Sequence, residues 1–201
     1  MLRPDKQLLL RDRLARMSSY EIEAGGEVER ALLLVTFRSI PMLVDRRSGV
    51  DKKRLGVAII GATTPEDAVT RVTKSCGLVW EIRWGMLVVA TRERLAVMPR
   101  DIEVVDLNAA RARQLFAEDV DLRASSERLD AVLDRILSGT GITVKPRDGV
   151  DLRKHVVSFG ARSWSMTRDE ALCASLLPLG LMGTIKAREL VIDRASRSGD
   201  E

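Results

Sequence analysis

Sliding the sequence by 100 residues lays it on itself. An internal repeat constrains a fold more than any single motif, because each copy must bury its apolar face in the same way. "VDRRSGVDKKRLGVAI" (44–59) falls on "VKPRDGVDLRKHVVSF" (144–159), so Val44, Arg47, Gly49, Val50, Asp51 and Val57 meet Val144, Arg147, Gly149, Val150, Asp151 and Val157. Upstream, "YEIEAGGEVERALL" (20–33) lies over "VDLRASSERLDAVL" (120–133), with Ala24, Glu27, Ala31 and Leu33 matching Ala124, Glu127, Ala131 and Leu133. After three extra residues near Ser163 the shift becomes 103; Thr64 then meets Thr167, Gly77-Leu78 meets Gly180-Leu181, and Ile82 meets Ile185. The register predicts one duplicated unit at 18–97 and 118–195. It leaves an N-terminal helical segment at 1–17, a linker at 98–117 made partly helical by "NAARARQLFA", and a disordered tail at 196–201.

Each unit reads as strand, helix, strand, strand, helix, strand, strand. Tyr20 to Ala24 and Val120 to Ala124 alternate apolar and polar residues, the period of a half-buried strand. In the second copy Ser125 or Ser126 caps the following helix, Leu129, Val132, Leu133 and Ile136 recur at helical spacing, and Gly139 stops it. Two strands then flank the shared Arg-x-Gly-Val-Asp segment, where Gly permits a turn and Asp can bond its own backbone. Arg47 and Arg147 are expected to pair with those aspartates, Asp51 and Asp151.

The second helix has the clearest start signals: Thr64 as cap, Pro65 in the first turn and Asp67 at the capping-box position, repeated as Thr167 and Glu170. It ends at Gly77 and Gly180, with Pro178 shortening the last turn of the second copy. Its inward positions are Ala68, Val69, Val72 and Cys76, and Ala171, Leu172, Ser175, Leu176 and Leu179. A hairpin follows. With Trp84-Gly85 as a two-residue loop, Ile82 faces Leu87, Trp80 faces Val89, Glu81 faces Val88 and Arg83 faces Met86; in the second copy Ile185 faces Leu190 and Lys186 faces Glu189.

Little in the sequence points to reaction chemistry. Cys76 and Cys173 are the only thiols and form no Cys-x-x-Cys pair, so both read as buried free thiols and no metal is expected. His155, the sole histidine, has no nucleophile in a recognisable setting, and the phosphate-loop and dinucleotide fingerprints are missing. The chain is therefore read as not an enzyme, with no cofactor. Its net charge of +4 comes from interspersed Lys, Arg, Asp and Glu rather than a basic run, which argues for a solvated mixed-charge surface. No apolar run approaches the ~20 residues of a membrane span, and Met1 to Met17 has no continuous apolar core of a signal peptide.

The unit order, the Thr-x-x-[Asp/Glu]-Ala start of the second helix and the Gly-Leu before a terminal hairpin resemble the short N-terminal domain shared by bacterial secretins and TonB-dependent receptors. The likeness is closest in "IIGATTPEDAVTRVTKSCGLVWEI" (59–82) and "ERLDAVLDRILSGTGITV" (127–144). The resemblance implies an α+β fold, two tandem β-α-β-β-α-β-β units with helices packed between small sheets. It also implies a non-catalytic protein–protein interaction module of the bacterial cell envelope. The chain departs from that setting, having no barrel after the units and basic helical segments at Leu8 to Met17 and Asn108 to Ala117. The expected compartment is periplasmic or envelope if the chain is a fragment lacking its signal peptide, and cytoplasmic if Met1 is native.

The alternative is a nucleic-acid binder, because the same element order describes the RNA-recognition fold. That fold stacks bases on aromatics of its central strands, and "RLGVAII" and "KHVVSFG" supply only Phe159 in a chain that is 3% aromatic. Within the interaction reading, the candidate partner-binding residues are Trp84 at the hairpin tip with Arg83, Met86 and Val88 on its outer face, a mixture of cation and adaptable apolar groups that interfaces favour. Strand addition to a hairpin edge, or self-association, is the expected mode.

Overall fold

Thr64 and Thr167 begin the two helices around which the computed structural model is organised; it describes residues 4–36, 40–100, 102–105, 115–123, 126–157 and 163–194. The chain is α+β, with six α-helices and several small open sheets among the described residues. It divides into two compact units, 1–98 with 159–164 and 99–158 with 165–201.

The first unit runs α1 (Pro4–Ala15), β1 (Ser18–Ile22), α2 (Val28–Val35), β2 (Met42–Val44), β3 (Ile59–Thr63), α3 (Pro65–Ser75), β4 (Val79–Arg83), β5 (Met86–Ala90) and α4 (Arg92–Val97). Strands β1 and β3 pair antiparallel, with Ile22 opposite Ile59. A separate sheet has the order β2-β5-β4, β2 lying parallel to β5 and β4 antiparallel to it. One core draws on both sheets and both helices: Ile22 and Ile59, Val28, Leu32 and Val35, Ala68, Val69 and Val72, Leu87 and Val89. At ~1.5–3 kcal/mol for each large apolar side chain removed from water, this cluster is the main stabilising term. Leu10 and Leu14 of α1 belong to it, so segment 1–17, expected to stand apart, is part of the first unit.

The second unit runs β6 (Glu103–Val105), β7 (Asp119–Arg123), β8 (Glu127–Arg128), α5 (Leu129–Leu137), β9 (Thr143–Pro146), β10 (Val156–Val157), β11 (Ser163–Thr167, of which 165–167 belong to this unit), α6 (Arg168–Leu176), β12 (Leu181–Lys186) and β13 (Glu189–Arg194). Strand β7 pairs with β11, and a four-stranded sheet has the order β6-β12-β13-β9. There β9 is parallel to β13 and β13 antiparallel to β12, the scheme of β2, β5 and β4. Two features differ. The β8–β10 ladder stands where the first unit has a single Glu27–Arg54 bridge, and β6 adds a parallel strand beyond β12. The segment expected to be a linker thus contributes a strand to the second unit's sheet.

The cap chemistry is as the residues predict. Thr64 Oγ1 accepts from the Asp67 amide at 3.2 Å, and Thr167 and Glu170 form a reciprocal capping box. Gly77 and Gly180 end these helices with φ of 66° and 73°, a conformation other residues adopt at a cost. Helix α6 is buried all round except at Asp169, as a core helix must be apolar or paired on every side. Its one buried cation, Arg168, is fully engaged: Nε donates to Ile136 O at 2.7 Å and Nη1 to Leu115 O and Glu118 Oε2, both at 2.8 Å.

Several local expectations are corrected. Arg128, not a serine, is the residue before α5; Ser126 lies farther upstream and Ser125 outside the described residues. The strands expected over "RLGVAII" and "KHVVSFG" start late: β3 begins at Ile59, and among the described residues Val156–Val157 pairs with β8 alone. Leu55 instead spends its backbone on Gly25 and Gly26. Arg47 and Asp51 are both exposed, Arg147 pairs with Asp193 at 3.1 Å, and Asp151 accepts from the Arg153 amide, so neither Arg-Asp match is a buried pair. Phe159, residues 106–114 and everything after Arg194 lie outside the described residues; of the expected linker helix, Leu115 and Phe116 are helical. The strands of each unit divide between separate sheets.

Candidate functional site

The β4–β5 hairpin carries all four residues singled out from the sequence. Its loop is Trp84-Gly85, with φ of 48° and 68°, the positive pair that matches strand twist in a two-residue hairpin. Arg83 then faces Met86, Ile82 faces Leu87, Glu81 faces Val88 and Trp80 faces Val89. Leu87 and Val89 turn into the core with Trp80 and Ile82 packed beside them, and Trp80 Nε1 donates to Thr70 Oγ1 of α3 at 3.0 Å.

The outer face is not a free surface. Met86 and Val88 are wholly buried, Trp84 is 6% exposed and Arg83 9%. Arg83 is held from behind: Nη1 donates to Met98 O at 2.9 Å and Nη2 to Leu95 O at 2.7 Å, and its guanidinium pairs with Glu81. Leu95 and Met98 are buried as well. The sequence placed Trp84, Arg83, Met86 and Val88 on an interface. In the structure the chain following β5 turns back to this end of the hairpin, and the guanidinium closes the carbonyls at the end of α4.

What the hairpin does offer is an edge. Leu87 N–H donates to Pro41 O and Val89 O accepts from Asp45 N–H, both at 2.9 Å, so these two residues point their backbone at β2. Antiparallel pairing alternates, and residues opposite each other outside the bonded pairs aim their groups away from the shared side. Trp80 and Ile82 therefore turn their N–H and C=O outward from β4, which ends the sheet among the described residues. In the second unit the matching residue, Ile185, lies opposite Val104 of β6, so there the same edge is filled. Sequence reasoning missed β6, because three residues, Glu103–Val105, carry no periodicity.

Elsewhere the charged groups serve the fold. Asp45 is fully buried and accepts from Arg94 Nε at 2.9 Å, from the Arg47 amide at 3.0 Å and from Ser48 Oγ at 3.4 Å. Hydrogen bonds from Arg128 hold the Asp130 carboxyl below the usual carboxylate range, and a bond from its own backbone, then one from Thr91, lowers Glu93. Both lie in the first turn of a helix. Among the described residues no group of three or more His, Cys, Asp or Glu is placed to hold a metal. Cys76 and Cys173 are not joined in a disulfide, the first being half-buried and the second buried, and His155 gives its carbonyl to the Leu129 amide. None of the described helices is long and apolar enough to cross a membrane.

Neither a family model, nor a curated protein, nor a solved structure matches this chain.

Proposed function

We propose that the chain is a non-catalytic protein-interaction module of the bacterial cell envelope, built from two domains like the short N-terminal domain of secretins and TonB-dependent receptors. The observation that carries this reading is the pairing scheme common to the units: a two-stranded sheet, two helices, and a hairpin whose second strand takes a parallel partner. The resemblance carried by the motifs at Thr64 and Thr167 implies two helices packed between small sheets, and this content supports that reading. A module of this build recognises other chains through backbone edges and packed surfaces rather than through a reactive cleft. Its setting in this reading is the periplasm, as a portion of a longer envelope protein.

The test is to fuse alkaline phosphatase, active only after export, to the C-terminus of the complete gene product in its own host. Phosphatase activity together with a cross-link to an envelope protein is the expected result. An inactive fusion, with single-stranded RNA retained by the chain at moderate salt beyond what charge alone gives, overturns it.

A further inference from the structure

We infer that the outer edge of β4 docks an extended segment of a partner protein. The segment runs parallel to β4 and places a Lys or Arg opposite Glu81 and a β-branched apolar residue opposite Ile82. That a partner exists rests on the interaction-module reading; where and how it docks follows from the second unit. There β6 lies parallel to β12 with Glu103 opposite Thr184, Val104 opposite Ile185 and Val105 opposite Lys186. Subtracting the repeat shift of 103 maps Thr184, Ile185 and Lys186 onto Glu81, Ile82 and Arg83. The first unit presents the same backbone, with the Ile82 N–H and C=O facing out of the sheet and β4 half-buried from Val79 to Ile82.

The edge selects its occupant by charge. In the second unit Thr184 Oγ1 donates to Glu103 Oε2 at 3.4 Å. A carboxylate in that place beside β4 would instead meet Glu81, whose side chain is 35% exposed and already paired with Arg83 of its own strand; like charges directly opposite destabilise a strand pair while opposite charges stabilise it, so the preference is the part of the Glu81 charge that Arg83 leaves unscreened. The segment that suits β12 is therefore wrong at one position for β4, and a cation there corrects it. The next residue of the segment lies beside Ile82, which packs on the core, so a Val or Ile extends that core along the edge. Charge thus keeps the first unit from capturing β6 itself, and leaves its edge for a chain of the opposite sign.

Two peptides spanning residues 100–107 test this against the full chain, one of native sequence and one carrying Glu103→Lys. The Lys peptide is expected to bind about five-fold tighter than the native one and to slow amide exchange at Ile82 while leaving Ile185 unchanged. Ile82→Pro removes the outward N–H without touching a hairpin bond and should abolish binding. Where that variant melts far below the parent, Glu81→Gln decides: the preference for Lys over Glu should disappear with the fold intact. Protection at Ile185 in place of Ile82, equal binding of the two peptides, or no binding of either overturns the docking site. Protection of Ile82 that grows with protein concentration in the absence of peptide does so too, and gives the edge to a second copy. None of these outcomes touches the export result, which fails or holds by itself.

Discussion

Asp45, completely buried at the end of β2, accepts a hydrogen bond from Arg94 Nε of α4 at 2.9 Å across 49 positions of sequence. A buried carboxylate survives only when paired and bonded. Arg94→Ala leaves it the Arg47 amide and the Ser48 hydroxyl, so a loss of about 2–3 kcal/mol is expected in denaturant unfolding. Adding Asp45→Asn to Arg94→Ala should recover part of that, because a neutral amide needs no cation. If the double variant is no more stable than Arg94→Ala, the charge of Asp45 is not what the pair serves.

Local chemistry was the legible part of this molecule. Thr64, Thr167 and Glu170 mark helix starts because a cap acts within one turn, and the Trp84-Gly85 loop sets every cross-strand pair of the hairpin because register follows loop length. What could not be read depended on the return of distant chain. Asp45 looks like any other loop aspartate until Arg94 is beside it, and Arg83 looks like a surface cation until the carbonyls of Leu95 and Met98 receive it. Strand β6 is recognisable only by its partner. The edge at Ile82 was visible in outline as a hairpin edge, but its charge preference needed the contrast between Glu81 and Thr184 in register.

Tyr20 should titrate late. Burial pushes its hydroxyl above the ordinary value of about 10, and the phenol donates to Val35 O at 3.3 Å. The folded state favours the neutral form, so this contribution to stability is fully present below about pH 10 and is lost as pH rises through the folded-state value. Tyr20 is the only tyrosine in the chain, so tyrosinate absorbance reports it alone. The midpoint should lie above that of the urea-unfolded chain; coincident midpoints would mean that the ring is solvated.

Gly183 should not tolerate a methyl group. A Cβ there would stand 2.9 Å from Leu176 Cδ1 and 3.1 Å from Leu190 Cδ1, both in fully buried side chains. The matching residue of the first unit, Trp80, instead packs beside that unit's own core and donates to Thr70 of α3. Gly183→Ala is expected to cost about 1–3 kcal/mol by overpacking, and Gly183→Ala with Leu176→Val should regain some of it. A Gly183→Ala variant as stable as the parent would show that the two leucines have room to yield.

The two hairpin tips separate backbone strain from burial. Trp84 and Ala187 hold equivalent loop positions with φ of 48° and 52°, a region that costs a residue with a Cβ roughly 1–2 kcal/mol. Ala187 is exposed, so its side chain gives nothing back. Ala187→Gly should therefore stabilise the chain by about 0.5–1 kcal/mol once the added freedom of glycine in the unfolded state is subtracted, and Ala187→Asn should do nearly as well. Trp84→Gly relieves the same strain but removes an indole that is 6% exposed, a loss of about 3 kcal/mol or more that outweighs it. The two glycine variants should shift the melting temperature in opposite directions. If Trp84→Gly also raises it, the indole contributes no packing at the tip, and the outer face of the hairpin is less firmly closed than its burial indicates.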